Sequence, residues 1–132
     1  MTGLDTNILV RYLTQDDQAQ FQAALRLLNT RGVIFFVPDL VVLELDWVLS
    51  DVYDWNRDEI AETLARLLTI QNLIFEDEGR IRGALKAVRL GADLSDAFIA
   101  AACERRECRD LATFDKGFVK RFPNLAFSPK PR

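Results

Sequence analysis

Val33-Ile34-Phe35-Phe36-Val37-Pro38-Asp39 is an unbroken apolar run closed by a proline and an acid. Five apolar residues without alternation describe a strand covered on both faces, as the strands of a parallel sheet with helices on each side must be. Pro38-Asp39 then opens a helix to about Val52, with Asp39 as its N-cap. Upstream, Thr2–Leu4 reads as a very short strand and Thr6–Leu13 as a helical turn. Asp16 or Asp17 caps a helix running to about Asn29, with Phe21, Ala24, Leu25 and Leu28 at helical spacing, and Gly32 ends it. Downstream, Asn56-Arg57-Asp58-Glu59 has the form of a capping box and starts a helix to about Thr69. Leu73-Ile74-Phe75 is the next strand, followed by a helix from Glu78 to Leu90 that Gly91 closes. Asp93 or Ser95 caps a helix over Ala97–Arg106. Leu111–Thr113 is a strand, Lys116–Arg121 a short helix, and Leu125–Phe127 a last strand. Strands alternating with helices predict an α/β fold with a mostly parallel central sheet.

Composition narrows the chemistry. A chain of 132 residues, 49% hydrophobic and 28% charged, suits one domain with a single core. It has no run near the ~20 apolar residues of a membrane helix. Its start, Met1-Thr2-Gly3-Leu4-Asp5, lacks the basic and apolar regions of a signal peptide, so the expected compartment is the cytoplasm. There is no histidine. That absence removes Ser-His-Asp and Cys-His catalysis and leaves no four-ligand zinc site. The two cysteines, Cys103 and Cys108, are expected as reduced, small core residues. Net charge is −3, but it is unevenly spread: Asp39–Glu78 holds eleven acidic residues against two basic, and Arg105–Arg132 eight basic against three acidic. One surface should repel phosphates and another attract them.

In open α/β sheets ligands bind beyond the carboxyl ends of the strands. Asp5 directly follows the first strand, Asp115 follows the Leu111–Thr113 strand, and Asp96 stands at the start of a helix. Glu44 lies in the helix after the Val33–Val37 strand, among Leu40, Val41, Val42, Leu43, Leu45, Trp47, Val48 and Leu49. A carboxylate among so many apolar residues is costly to bury unless something pairs with it, and a cation is a reasonable partner. Oxygen-only ligation favours Mg²⁺ or Mn²⁺. Such an ion lowers the pKa of a bound water and neutralises charge growing on a phosphate, so the set suits phosphodiester hydrolysis. Each acid also has a purely structural reading: a strand-end turn for Asp5, a partly exposed helix residue for Glu44, a helix-dipole partner for Asp96, a cap for Asp115. Asp93 reads first as an N-cap.

The surroundings of these acids are more specific. Leu4-Asp5-Thr6-Asn7-Ile8-Leu9-Val10-Arg11-Tyr12-Leu13 resembles the opening of PIN-domain proteins, in particular the toxin ribonucleases of VapBC toxin–antitoxin pairs. Val37-Pro38 with Leu43-Glu44-Leu45-Asp46-Trp47-Val48-Leu49 is similar to that family's second block. Gly91-Ala92-Asp93-Leu94-Ser95-Asp96-Ala97-Phe98-Ile99-Ala100 is similar to the third, and Ala112-Thr113-Phe114-Asp115-Lys116 to the fourth. The blocks fall in order across nearly the whole chain. The resemblance implies a single PIN domain over residues 1–132, folded as a three-layer α/β/α sandwich. It further implies Mg²⁺ or Mn²⁺ dependence, endonucleolytic cleavage of RNA, homodimerisation and inhibition by a small antitoxin. Asp5, Glu44, Asp96 and Asp115 match the family's acidic positions, for catalysis and metal binding. Thr6, Asn7 and Thr113 match the polar residues beside them, which orient a carboxylate or water, and Asp93 is a possible accessory. Two positions depart from the pattern: Leu94 stands where phenylalanine is common, and Leu40–Leu43 offer no hydroxyl beside Glu44.

Two surfaces suggest partners. Trp47, Tyr53 and Trp55 are candidates to meet a second subunit or an antitoxin, with core packing as the plainer reading. Arg80, Arg82, Lys86 and Arg89 share one helix and could touch RNA phosphates. The alternatives of other classes are a PIN-fold module that binds RNA or protein without cleaving and a phosphorelay receiver domain. A receiver pairs acids after its first strand, where this chain has Thr6 and Asn7. A haloacid-dehalogenase-type phosphatase needs Asp-x-Asp there, and Asn7 takes the second position.

Overall fold

The computed structural model describes residues 1–131; Arg132, the last of the basic residues counted above, lies outside them. The fold is mixed α/β with parallel pairing throughout, the class the sequence predicts. In chain order the elements are β1 (Thr2–Gly3), α1 (Thr6–Thr14), α2 (Gln18–Leu28), β2 (Phe35–Val37), α3 (Asp39–Asp51), α4 (Arg57–Leu67), β3 (Leu73–Phe75), α5 (Glu78–Arg89), α6 (Leu94–Arg105), β4 (Leu111–Ala112), α7 (Lys116–Arg121) and β5 (Ala126–Phe127). The chain divides into two compact units, Met1–Glu78 and Gly79–Arg132.

In the first unit β2 is the middle strand of a parallel sheet ordered β1-β2-β3, with Thr2 opposite Phe35 and Phe35 opposite Leu73. Phe35 and Val37, on one face of the strand, are fully buried, whereas Phe36 on the other face is half-buried and Ile34 exposed, so the run is not covered equally on both faces as expected. The strand is shorter than the Val33–Val37 run because its neighbours pair with no more than Phe35–Val37, two residues in β1 and three in β3. Helix α1 packs on α2 and α3, and α3 on α4. Leu9, Val42, Leu45, Leu49 and Leu64 fill the interior between them.

Local signals place the helix starts. The Asp17 carboxylate accepts from Gln20 N at the head of α2. Asn56 and Glu59 close a full capping box on α4, each side chain accepting from the other's backbone N–H. Two expectations are corrected. Asp39 is the first residue inside α3, and Pro38 is its N-cap; proline's fixed φ suits the entry to a helix. Helix α2 ends at Leu28, and Gly32, at φ 74°, serves the turn into β2 instead of closing the helix.

In the second unit β4 and β5 form their own parallel pair, with Leu111 opposite Ala126. Phe118 of α7 packs with Ala100 and Ala126 at its centre, and its ring meets Phe122 at 5.2 Å. Gly91, at φ 105°, closes α5 as expected. A side chain there would also strike the Arg121 guanidinium, which donates to Leu90 O. Helix α6 ends in a Schellman motif: Cys108 N donates to Cys103 O and Glu107 N to Glu104 O, with Glu107 left-handed at φ 57°. That turn leaves Cys103 half-buried and Cys108 exposed, so the expectation that both cysteines are core residues fails for Cys108.

Candidate active site

Asp5 follows β1 and caps α1, its Oδ1 accepting from Thr6 N at 2.7 Å. Because β1 and β2 run parallel, the start of α1 and the start of α3 emerge at the same sheet edge. A side-chain contact joins them there: Thr6 Oγ1 donates to Glu44 Oε1 at 3.2 Å. Thr6 is the one buried polar residue among those described. It supplies the hydroxyl that Leu40–Leu43 do not, from a different helix. Asp5, Thr6 and Glu44 thus form one local group.

The argument that Glu44 is costly to bury is overturned, because its side chain is exposed. Helix α3 turns Val41, Val42, Leu45 and Leu49 inward, while Leu40, Glu44 and Trp47 share the opposite face. Leu40 and Trp47 are 66% and 60% exposed, so the excess apolar surface inferred for this helix lies around Glu44 itself. Asn7 is exposed and borders a groove between α1 and α2, with Ile8, Arg11, Gln20, Ala23, Ala24 and Leu27. Sequence reasoning missed a polar network beside this groove. Tyr53 Oη donates to Asp16 Oδ2 at 2.6 Å, and Arg11 donates to Asp16 at 2.9 Å and to Gln20 at 2.7 Å. The Tyr53 hydroxyl, then the Thr14 hydroxyl and Arg11, hold the Asp16 carboxyl below its ordinary range against a smaller opposing effect of burial. Tyr53 is half-buried, and its hydroxyl is engaged within the chain.

In the second unit Asp115 lies beyond β4. Its Oδ1 accepts from Gly117 N at 2.8 Å and Phe118 N at 3.2 Å, which makes it the cap of α7. Thr113 Oγ1 accepts from Asp115 N at 3.0 Å, so Thr113 orients the backbone that carries the acid. Asp93 is the N-cap residue of α6 by backbone conformation, although its side chain makes no capping bond. Asp96 sits in the first turn of α6, half-buried. Burial raises its pKa above the ordinary carboxylate value, and the charges of Asp93 and Asp115 push it the same way. Asp93, Asp96 and Asp115 therefore share one neighbourhood in which negative charge is in excess.

Among the described residues, no group of three or more aspartate, glutamate or cysteine side chains is gathered closely enough to hold a metal ion. The donor chemistry still suits a hard cation: every candidate is a carboxylate oxygen, and Mg²⁺ is commonly held by one or two carboxylates with water and substrate phosphate completing its shell. No helix among the described residues is long and apolar enough to cross a membrane.

Residues 4–122 match the sequence model of the PIN domain. A protein of Aquifex aeolicus (strain VF5) described as a VapC ribonuclease is 27% identical over 124 residues, covering 91% of each chain. The family match spans all four acidic blocks and both compact units, and it decides the fold against a phosphorelay receiver.

Proposed function

The chain belongs to the PIN-domain family, and on that premise we propose that it is a divalent-metal-dependent endoribonuclease and the toxin of a toxin–antitoxin pair. The observation that carries this reading is the acidic neighbourhood of Asp96, a half-buried carboxylate that feels the charges of Asp93 and Asp115 in a chain without histidine. Charge held in that way gains from a cation. The similarity to a protein described as a ribonuclease supports RNA as the substrate.

In this reading Asp5, Glu44, Asp96 and Asp115 are the acids that hold Mg²⁺ or Mn²⁺. When bound, such an ion supplies an activated water and offsets the charge that grows on the phosphate. The remaining work falls to the chain. Thr6 fixes the Glu44 carboxylate through its hydroxyl, and its own backbone N–H fixes Asp5. Thr113 and the first turn of α7 fix Asp115, using only one of its oxygens. Asp93 adds to the charge at Asp96 without ligating. The face of α3 bearing Leu40, Glu44 and Trp47 suits a small antitoxin or a second copy of the chain, and a cytoplasmic location accords with the activity.

The test is cleavage of single-stranded RNA by the purified chain. Activity should vanish in chelator and return with Mg²⁺ or Mn²⁺, and Asp96→Asn should abolish it. Undiminished cleavage in chelator, or by Asp96→Asn, would overturn the mechanism. RNA binding without cleavage under any divalent ion would leave the non-catalytic alternative.

A further inference from the structure

The two compact units carry opposite charge. Met1–Glu78 has fourteen acidic residues against five basic, and Gly79–Arg132 has twelve basic against six acidic. A polyanion is drawn to the second unit and repelled by the first, because phosphate contacts supply most of the affinity for nucleic acid. On α5 of that unit Arg82, Lys86 and Arg89 are exposed.

The same unit displays Phe114, a 79% exposed ring between Thr113 and the capping residue Asp115. It is not a loose loop residue. On one side Thr113 N donates to Phe127 O at 2.9 Å, tying the backbone to β5. On the other, Asp115 is bonded to Thr113 Oγ1 and to the first turn of α7, which is anchored by buried Phe118. The backbone on both sides of the ring is thus fixed, and Lys116 beside it is also exposed. A rigidly presented aromatic next to Lys116, in a unit that is net positive although Asp115 and its acidic neighbours lie close to the ring, suits an unpaired base: the ring takes a base face while the unit's cations take the phosphates.

We propose that Phe114 is a base-stacking residue, receiving an unpaired base of the RNA strand adjacent to the phosphate that Asp115 addresses. This rests on the ribonuclease reading above and adds a specificity determinant to it. It commits the substrate to a single-stranded or looped region, since a paired base has no free face to offer.

Steady-state cleavage of a short single-stranded RNA by the full chain tests it, comparing wild type with Phe114→Ala, Phe114→Tyr and Phe114→Trp. Phe114→Ala should raise KM about tenfold, the scale of one lost base stack, with kcat little changed, and the aromatic variants should restore it. A series of RNAs each lacking one base near the scissile bond should contain one that costs the wild type the same factor and costs Phe114→Ala nothing more. Binding in chelator, followed by quenching of a 2-aminopurine placed at that position, should show the same dependence on an aromatic ring without any turnover. An unchanged KM for Phe114→Ala, a loss not restored by Tyr or Trp, or abasic penalties identical in wild type and Phe114→Ala would overturn the assignment. Failure of the wild type to cleave or bind RNA would instead overturn the ribonuclease reading. Loss confined to binding of a protein partner would make Phe114 a protein contact.

Discussion

Asp96 and Asp16 sit in opposite electrostatic surroundings, and each predicts its own dependence of stability on pH. Burial, then Asp93 and Asp115, raise the Asp96 pKa in the folded chain. Its contribution to stability is therefore present in full below the unfolded value and is lost as pH rises through the folded one. At neutral pH in chelator, Asp96→Asn should melt at or above the wild-type temperature, and the difference should fade as pH falls into the carboxylate range. A clear destabilisation at pH 7 would contradict the excess of negative charge there. Asp16 runs the other way. The Tyr53 hydroxyl lowers its pKa first, helped by Thr14 and Arg11, so its stabilisation is present above the unfolded value and lost as pH falls through the folded one. Tyr53→Phe should lower the melting temperature slightly at neutral pH, with the gap closing only below the usual carboxylate range. Asp16 is exposed, so the effect is screened and small. At this scale the places of Asp5 and Asp115 could be read from sequence because each lies within three residues of the end of a strand, and chain direction alone puts such residues at a sheet's carboxyl edge. The exposure of Glu44 could not be read, because a helix apolar on nearly every side gives no sign of which side its neighbours cover. Nor could the Tyr53–Asp16–Arg11 network, whose members lie up to 42 positions apart.

Helix starts marked by a side-chain cap, as at Asp17 and Asn56, were legible because such a cap is decided within four residues, whereas the start of α3 and the end of α2 were not. The Asn56–Glu59 box predicts that Asn56→Ala costs about 1 kcal/mol of folding stability. Urea unfolding measures this, and an unchanged midpoint would mean that α4 is held by packing of Ile60, Ala61, Leu64 and Leu67 alone. The end of α6 predicts the opposite sign. Glu107 holds a left-handed conformation that costs an ordinary residue roughly 1–2 kcal/mol. Glu107→Gly should relieve much of it and raise stability by about 1 kcal/mol, provided the Schellman bonds to Cys103 and Glu104 persist. Strand ends were less legible for a physical reason. A ladder lasts only as long as its neighbours do, so the five apolar residues Val33–Val37 yield a three-residue strand. Asp39 was misplaced by one residue because aspartate serves both as a cap and as a first-turn acid; the extended ψ of 153° at Pro38 makes the proline the N-cap and Asp39 the first-turn acid.

Across the whole chain, the charge division gives the ribonuclease and toxin readings separate consequences. RNA affinity should rest on the twelve basic residues of Gly79–Arg132 and fall steeply with salt, as phosphate contacts do. The Met1–Glu78 unit is net acidic, which suits a basic protein segment, and it bears Asp5 and Glu44 as well as the apolar face of Leu40 and Trp47. An antitoxin that laid an apolar stretch on that face and a basic side chain against Glu44 would satisfy the same charges that a cation does. Antitoxin and divalent metal should then compete, and raising Mg²⁺ or Mn²⁺ should weaken the complex more than an equal ionic strength of a monovalent salt. In cells, expression of the chain alone should arrest growth, and Asp5→Asn should relieve the arrest at an unchanged protein level. Because Asp5 is exposed and its charge is replaced by a side chain that still caps a helix, the variant should remain folded. Relief would therefore report lost chemistry and not lost protein. Arrest by Asp5→Asn as severe as by wild type would separate toxicity from the proposed acids. A wild-type chain that is harmless at high level, with no antitoxin present, would remove the toxin role while leaving the ribonuclease to be judged by its cleavage of RNA.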